Sequence, residues 1–266
     1  MVAGLSVLTR LEDLRIGFES PRSRPNRRTR RLPAQARTHL PVLYTLSFSG
    51  VSEYLEDLVA LIDAPLLYKL SIAFFHQLLF DNPQLTQFIS RTPKFKAHGE
   101  ARVEFSNSNV TVTLLQILYG VLKLGVSCKQ LDWQLSSVAQ VCGSSFTQNL
   151  IPTVECLYVQ AERVYWPRPS SSQDDIENSQ WLELFQPFAA VTDLYISSEF
   201  TPRLARALRE LVGERVTEVL PALQTLFLEE PPLPGPVQEA IGQFVAARQL
   251  VGYPLAVSRW EREEED

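Results

Sequence analysis

A recurring string, L-x-x-L-x-[ILVF], with proline ahead of most copies, and stretches of helical period between the copies predict an α/β fold. The predicted architecture is an irregular, horseshoe-like solenoid with parallel strands on its concave face and helices on its convex face. Two nearly matching segments near the two ends of the chain, "LPVLYTLSF" and "LPALQTLFL", carry the string most clearly. They give Leu43, Leu46 and Phe48 in the first and Leu223, Leu226 and Leu228 in the second. Further copies give Leu67, Leu70 and Ile72 in "APLLYKLSI", Val154, Leu157 and Val159 in "IPTVECLYV", and Val191, Leu194 and Ile196 in "AAVTDLYI". "RLEDLRI" gives Leu11, Leu14 and Ile16, and "LKLGV" gives Leu122, Leu124 and Val126.

Residues two apart in a strand share a face, so the last two anchors of each copy point into a core while the first packs from the preceding turn. Proline in front is expected to end the preceding helix. Helical faces follow between the strands: Val51, Leu55, Leu58 and Ile62; Leu131, Leu135, Val138 and Cys142; Leu204, Leu208 and Leu211; Val237, Ile241, Phe244 and Val245. Asp81 or Asn82 before Pro83, and Gly235 before Pro236, read as helix entries; Asp174 reads as the cap of a helix burying Trp181, Leu182 and Phe185. One unit would bury apolar side chains worth roughly 5 to 15 kcal/mol, less than the cost of ordering its own residues. No unit stands alone, and stability must come from stacking into a leucine-rich-repeat solenoid over residues 1–260. The first strand, without a capping repeat, is expected to present an apolar edge.

Two segments depart from the string. "EARVEFSNSNVTVTL" alternates as a strand on either side of "SNSN" and predicts a β-hairpin near residues 101–114, inserted between regular units. "PRSRPNRRTRRLPAQAR" holds Arg22, Arg24, Arg27, Arg28, Arg30 and Arg31 among prolines with almost nothing apolar, and predicts a disordered basic loop at residues 20–38. Its charge would suit a targeting signal or an acidic partner, but a solvated insertion between the first two units is the simpler reading. Residues 261–266 read as a short acidic tail.

The 266 residues carry a formal net charge of -5 with 45% hydrophobic content, which argues against nucleic acid as the main partner. Cys128, Cys142 and Cys156 form no CxxC pair, so neither a disulfide framework nor a metal site is expected, and a reducing, intracellular setting fits. Lys69, His76 and Asp81 interrupt the most apolar stretch, so no membrane partner is expected. GxSxG, HExxH, GxxxxGK[ST] and GxGxxG strings are missing from the sequence, and His39, His76 and His98 read as structural or surface residues, so no enzyme, catalytic residue or cofactor is expected.

"GVSEYLEDLVALIDAPLL", "DNPQLTQFISRT", "SCKQLDWQLSSVAQVC", "QDDIENSQWLELFQPF" and "ELVGERVTEVLPALQTLFLE", followed by "GPVQEAIGQFVAARQLVGYPLAVSRWE", carry a resemblance over nearly the whole chain. The sequence resembles the C-terminal leucine-rich-repeat region of an expanded family of F-box-like proteins from mushroom-forming fungi. That resemblance implies a scaffold that selects substrates for a ubiquitin ligase, in the cytoplasm, the nucleus or both. The chain opens at "LSVLTRLEDL", inside a copy of the string and with no LPxEI-like F-box segment, so contact with a Skp-type adaptor is expected only if an F-box lies upstream. The other reading is a stand-alone binding or structural repeat protein with no ligase coupling.

Residues between the anchors point away from the core, onto the face that solenoids use for binding. The sequence places Arg15, Ser47, Ser71, Gly125, Tyr158, Tyr195 and Phe227 there. Tyr158, Tyr195 and Phe227 are expected to form a ridge for a protein partner, flanked by Asp193 and Glu229.

Overall fold

The computed structural model describes residues 10–18, 37–75, 82–96, 98–115, 120–143, 150–162, 178–211 and 213–262. In chain order the elements are β1 (Asp13–Gly17), β2 (Thr38–His39), β3 (Thr45–Gly50), α1 (Ser52–Leu61), β4 (Ile62–Asp63), β5 (Lys69–Phe75), α2 (Pro83–Arg91), β6 (Glu100–Phe105) and β7 (Asn109–Leu115). Next come β8 (Val121–Ser127), α3 (Leu131–Cys142), β9 (Cys156–Ala161), α4 (Asn178–Phe185), β10 (Asp193–Ile196), α5 (Thr201–Arg209), β11 (Thr225–Leu228), α6 (Pro236–Leu250) and β12 (Ala256–Arg259). Thr38, inside the segment expected to be a basic loop, thus belongs to β2, which pairs with β4 in a small sheet of its own. The predicted cap Asp174, the helix entry Asp81 and His76 lie outside the described residues, as do Arg22, Arg24, Arg27, Arg28, Arg30 and Arg31.

The main sheet has ten strands in the order β1-β3-β5-β8-β7-β6-β9-β10-β11-β12. Every pairing in it is parallel except those that β7 makes with β6 and β8. The hairpin expected as an insertion is therefore built into the sheet. β7 hydrogen-bonds back onto β8, β6 runs parallel to β9, and the two strands carry the sheet across the gap between β8 and β9. Alternation explains why they fit: Ala101, Val103 and Phe105, and Val110, Val112 and Leu114, all turn inward beside the anchors of their neighbours.

One face of the sheet is buried. In register across it lie Leu14, Leu46, Leu70, Leu122, Leu114, Ala101, Leu157, Leu194 and Leu226, followed one step on by Ile16, Phe48, Ile72, Leu124, Val112, Val103, Val159, Ile196 and Leu228. Helix residues Leu55, Leu85, Leu135, Trp181, Leu204 and Ile241 join these in one continuous core. Leu14 and Ile16 in β1, outermost among the described strands at that end, are only partly buried.

The prolines ahead of the strands sit inside tight turns. The anchor nitrogens of Leu43, Leu67, Val154, Val191 and Leu223 donate to the carbonyls of Leu40, Ala64, Ile151, Phe188 and Leu220, at 3.3, 3.2, 2.9, 3.4 and 3.1 Å. Pro41, Pro65, Pro152 and Pro221 occupy the second turn position, where their fixed φ suits the bend, and Ala189 takes that place in the remaining one. Each turn thus carries its first anchor into the core: Leu43, Leu67, Val154 and Val191 are all at 0% exposure and Leu223 is at 2%. Proline shapes the strand entry more than it stops a helix.

Polar side chains tie the helices together. α2 begins at Pro83, as the sequence predicts, yet Asn82 makes no side-chain cap. Its open N–H groups are met instead from α1, where Glu56 accepts hydrogen bonds from Gln84 N at 3.0 Å and Leu85 N at 2.8 Å. In return Arg91, at the end of α2, donates to the carbonyls of Val59 and Ile62 at the end of α1. Gln134 in α3, 1% exposed, donates through Nε2 to Ser106 O at 2.8 Å and Cys128 O at 2.7 Å, joining the hairpin turn to the end of β8. Substituting Gln134→Leu would leave both carbonyls dry and unpaired, and urea titration should show a loss of about 2 kcal/mol.

Candidate protein-binding face

Among the described residues, the other face of the sheet carries no helix residues of the core, and most side chains between the anchors are partly exposed there. Strand pairing fixes their order: Arg15, Ser47, Ser71, Lys123, Thr113, Arg102, Tyr158, Tyr195, Phe227 and Ser258 stand in one row. This corrects the expected row at one place. Lys123, not Gly125, lies beside Ser71, and Gly125 falls one step further on, beside Ala73 and Thr111. The regular alternation of "LKLGV" allows either residue, and only pairing with β5 decides.

The row divides into two unlike halves. From β1 to β7 its side chains are small or cationic, namely Arg15, Ser47, Ser71, Lys123 and Thr113. From β6 to β11 they are large and planar. In-register parallel strands hold equivalent residues about 4.8 Å apart, close to the thickness of an aromatic ring plus its contact shell. The rings consequently stack: Tyr158 on Tyr195 at 4.2 Å and 12°, Tyr195 on Phe227 at 4.3 Å and 3°. Arg102 continues the stack, its guanidinium 5.3 Å from the Tyr158 ring centre, held from the side by Glu100 at 2.5 Å. The structure thus brings together the three aromatics expected from sequence and adds Arg102, which could not be placed beside Tyr158 without knowing that β6 pairs with β9.

Asp193 and Glu229 flank this ladder as expected, on opposite sides of it. Asp193 lies two residues before Tyr195 on the same face and accepts from the Thr192 hydroxyl at 3.1 Å. Glu229 lies two residues after Phe227, where it accepts from Ser198 N at 3.0 Å, so it also braces the turn after β10. Two further carboxylates stand in the same flanking positions, Glu100 before Arg102 and Glu104 after it; Glu104 accepts from Gln160 Nε2 at 2.8 Å. Burial pushes the Tyr158 phenol well above its ordinary range, with Glu100 adding to the effect, and burial raises Tyr195 as well. Both phenols stay neutral hydrogen-bonding groups.

Sequence reading also missed the group that covers part of the ladder. After β12 the chain turns back across the C-terminal ends of the strands: Trp260 N donates to Leu228 O at 3.1 Å, Trp260 Nε1 to Ile196 O at 3.3 Å, and Arg262 to Ala161 O at 2.7 Å. This path sets the Trp260 ring edge-on to Tyr158 and Tyr195, at 5.9 and 5.5 Å. Phe227 has no such neighbour among the described residues. A second stacked pair, Tyr44 on Tyr68 at 5.0 Å, lies at the strand entries of the other half, and Tyr44 is half exposed.

Among the described residues no group of His, Cys, Asp and Glu is placed to hold a metal ion, and no helix is long and apolar enough to cross a membrane. Comparison of the chain with protein-family models, curated proteins and solved structures finds no match.

Proposed function

We propose that this chain is a non-enzymatic protein-interaction scaffold: an irregular, horseshoe-like leucine-rich-repeat solenoid whose concave face binds a protein partner. The stacked ladder of Tyr158, Tyr195 and Phe227 on the side of the sheet opposite the core carries this reading. Aromatic side chains offer wide contact area for few rotatable bonds, and such groups dominate the binding energy of protein interfaces. The recurring proline turn and the parallel, in-register strands support the repeat architecture. The resemblance to F-box-like proteins gives the face its role, selection of substrates for ubiquitylation inside the cell, with a Skp-type adaptor as second partner where an F-box is joined to it. Asp193, Glu229, Glu100 and Glu104 give the ladder acidic borders, so the partner surface would carry basic side chains opposite them.

Affinity purification from the native organism tests this. The wild-type chain should recover a partner that the Tyr158→Ser/Tyr195→Ser/Phe227→Ser variant loses, at unchanged circular dichroism. Phe227→Ser alone, which leaves the Trp260 contacts in place, should weaken capture at least about tenfold. Equal recovery by wild type and both variants would remove the ladder from the interface.

A further inference from the structure

Between β11 and α6 the chain reads Glu229-Glu230-Pro231-Pro232-Leu233-Pro234-Gly235-Pro236. Proline fixes its own φ near -65° and bars the preceding residue from the α region. Glu230, Pro231 and Leu233 each precede a proline, which favours extended or polyproline II backbone up to the turn at residues 234–235, where Gly235 takes φ 152°. Residues 231–233 accordingly have no regular secondary structure. Hydrogen bonds hold its ends: Glu229 N donates to Ile196 O at 3.1 Å, Ser198 N to the Glu229 carboxylate at 3.0 Å, and Glu239 N to Gly235 O at 3.0 Å.

Leu233 is 85% exposed, whereas most described strand and helix leucines are buried, Leu250 at the end of α6 excepted. Burying that side chain would contribute about 1.5 to 3 kcal/mol, which the fold forgoes. Pro231, Pro234 and Pro236 are exposed with it. A linker needs only to span the distance from β11 to α6, and polar residues would do so without presenting an apolar ridge to water.

The arrangement has a recognisable use. Polyproline II repeats every three residues, so in that conformation Glu230-Pro231 and Leu233-Pro234 would stand as two X-Pro pairs on one edge, spaced by Pro232. Pairs at this spacing fit the slots between aromatic side chains in the grooves of small proline-reading modules, and a segment already extended loses little entropy on binding. Its N-terminal border is acidic at Glu230, which selects a groove with a basic rim. We propose that residues 230–236 are a docking epitope for such a module, one whose groove is walled by aromatic side chains and bordered by basic ones. The epitope is separate from the aromatic ladder and does not rest on it.

The test is titration of the full chain into a ¹⁵N-labelled WW domain selected for Pro-Pro-Leu-Pro ligands. The wild-type chain should move the amide resonances of the aromatic groove. Pro231→Ala/Pro234→Ala should cut the affinity at least about tenfold at unchanged thermal unfolding, and Leu233→Ser should weaken it too. The ladder variant Tyr158→Ser/Tyr195→Ser/Phe227→Ser should bind as wild type does. A synthetic peptide of residues 229–237 that binds while the whole chain does not would overturn the proposal, because the fold would then withhold the segment. Silence from both, or equal binding by the double proline variant, would overturn it as well.

Discussion

Arg248→Ala is expected to lower the unfolding free energy by about 4 kcal/mol, the largest loss from any single substitution considered for this chain. Arg248 sits near the end of α6 at 0% exposure, and its guanidinium donates to four backbone carbonyls of the segment leading into β11. Nη1 reaches Val216 O at 3.4 Å and Leu220 O at 3.3 Å, and Nη2 reaches Pro221 O at 3.2 Å and Leu223 O at 2.9 Å. Leu220 O keeps its turn bond from Leu223 N, but each other buried carbonyl left unpaired costs about 1 to 3 kcal/mol, and relief from burying the charge itself offsets part of that sum. The same segment holds Leu220 at φ 51°, a left-handed conformation that a leucine adopts only when its surroundings impose it. Arg248 supplies that constraint by gripping the carbonyls on both sides of the bend. Arg248→Lys should recover part of the loss, because an ammonium keeps the charge but cannot span four acceptors with a planar fork. Urea titration decides, and a loss below about 1 kcal/mol for the alanine variant would refute this role.

Acid should weaken the fold through His98. The residue is at 0% exposure before β6, where its backbone exchanges hydrogen bonds with the Thr153 hydroxyl at 3.1 and 2.9 Å. Burial pushes its imidazole down to about 4, against an opposing contribution from the Gly120 backbone. The unfolded chain, with an ordinary histidine near 6.5, binds the proton first. Stability is therefore complete above about pH 6.5 and falls as pH drops through about 4. That interval spans about 2.5 pH units at about 1.4 kcal/mol each, a loss of about 3 kcal/mol. Comparing wild type with His98→Asn at pH 7 and pH 4 isolates this contribution from that of the carboxylates. Parallel pH profiles for the two proteins would show that His98 contributes nothing.

Much of this arrangement is legible in the amino-acid sequence, for a specific reason. Anchors such as Leu226 and Leu228 repeat every second residue because one face of each strand is buried, and helix anchors such as Leu55 and Leu58 keep the helical period because one stripe is buried. Tyr158, Tyr195 and Phe227 could be aligned because each follows an anchor by one residue, and parallel in-register pairing then makes them neighbours. What stayed hidden depends on contacts between distant segments. The neighbours of β6 and β7 cannot be read locally, so Arg102 gives no sign that it closes the ladder, nor Trp260 that it returns to Tyr158. The capping of α2 by Glu56 is hidden for the same reason. Lys123 was displaced by Gly125 because alternation fixes which face a residue takes but not which rung it meets.

The reversed strand β7 also has a bearing on how the chain assembles during synthesis. β6 and β7 are adjacent in the chain and can zip together within microseconds once both have emerged from the ribosome. The strand that joins them to the earlier part, β8, is made afterwards and must slot between β5 and β7, pairing with each. Until Ser127 has been translated, the main sheet exists only as two unconnected pieces, β1-β3-β5 and β6-β7, and β8 is the keystone that makes them one.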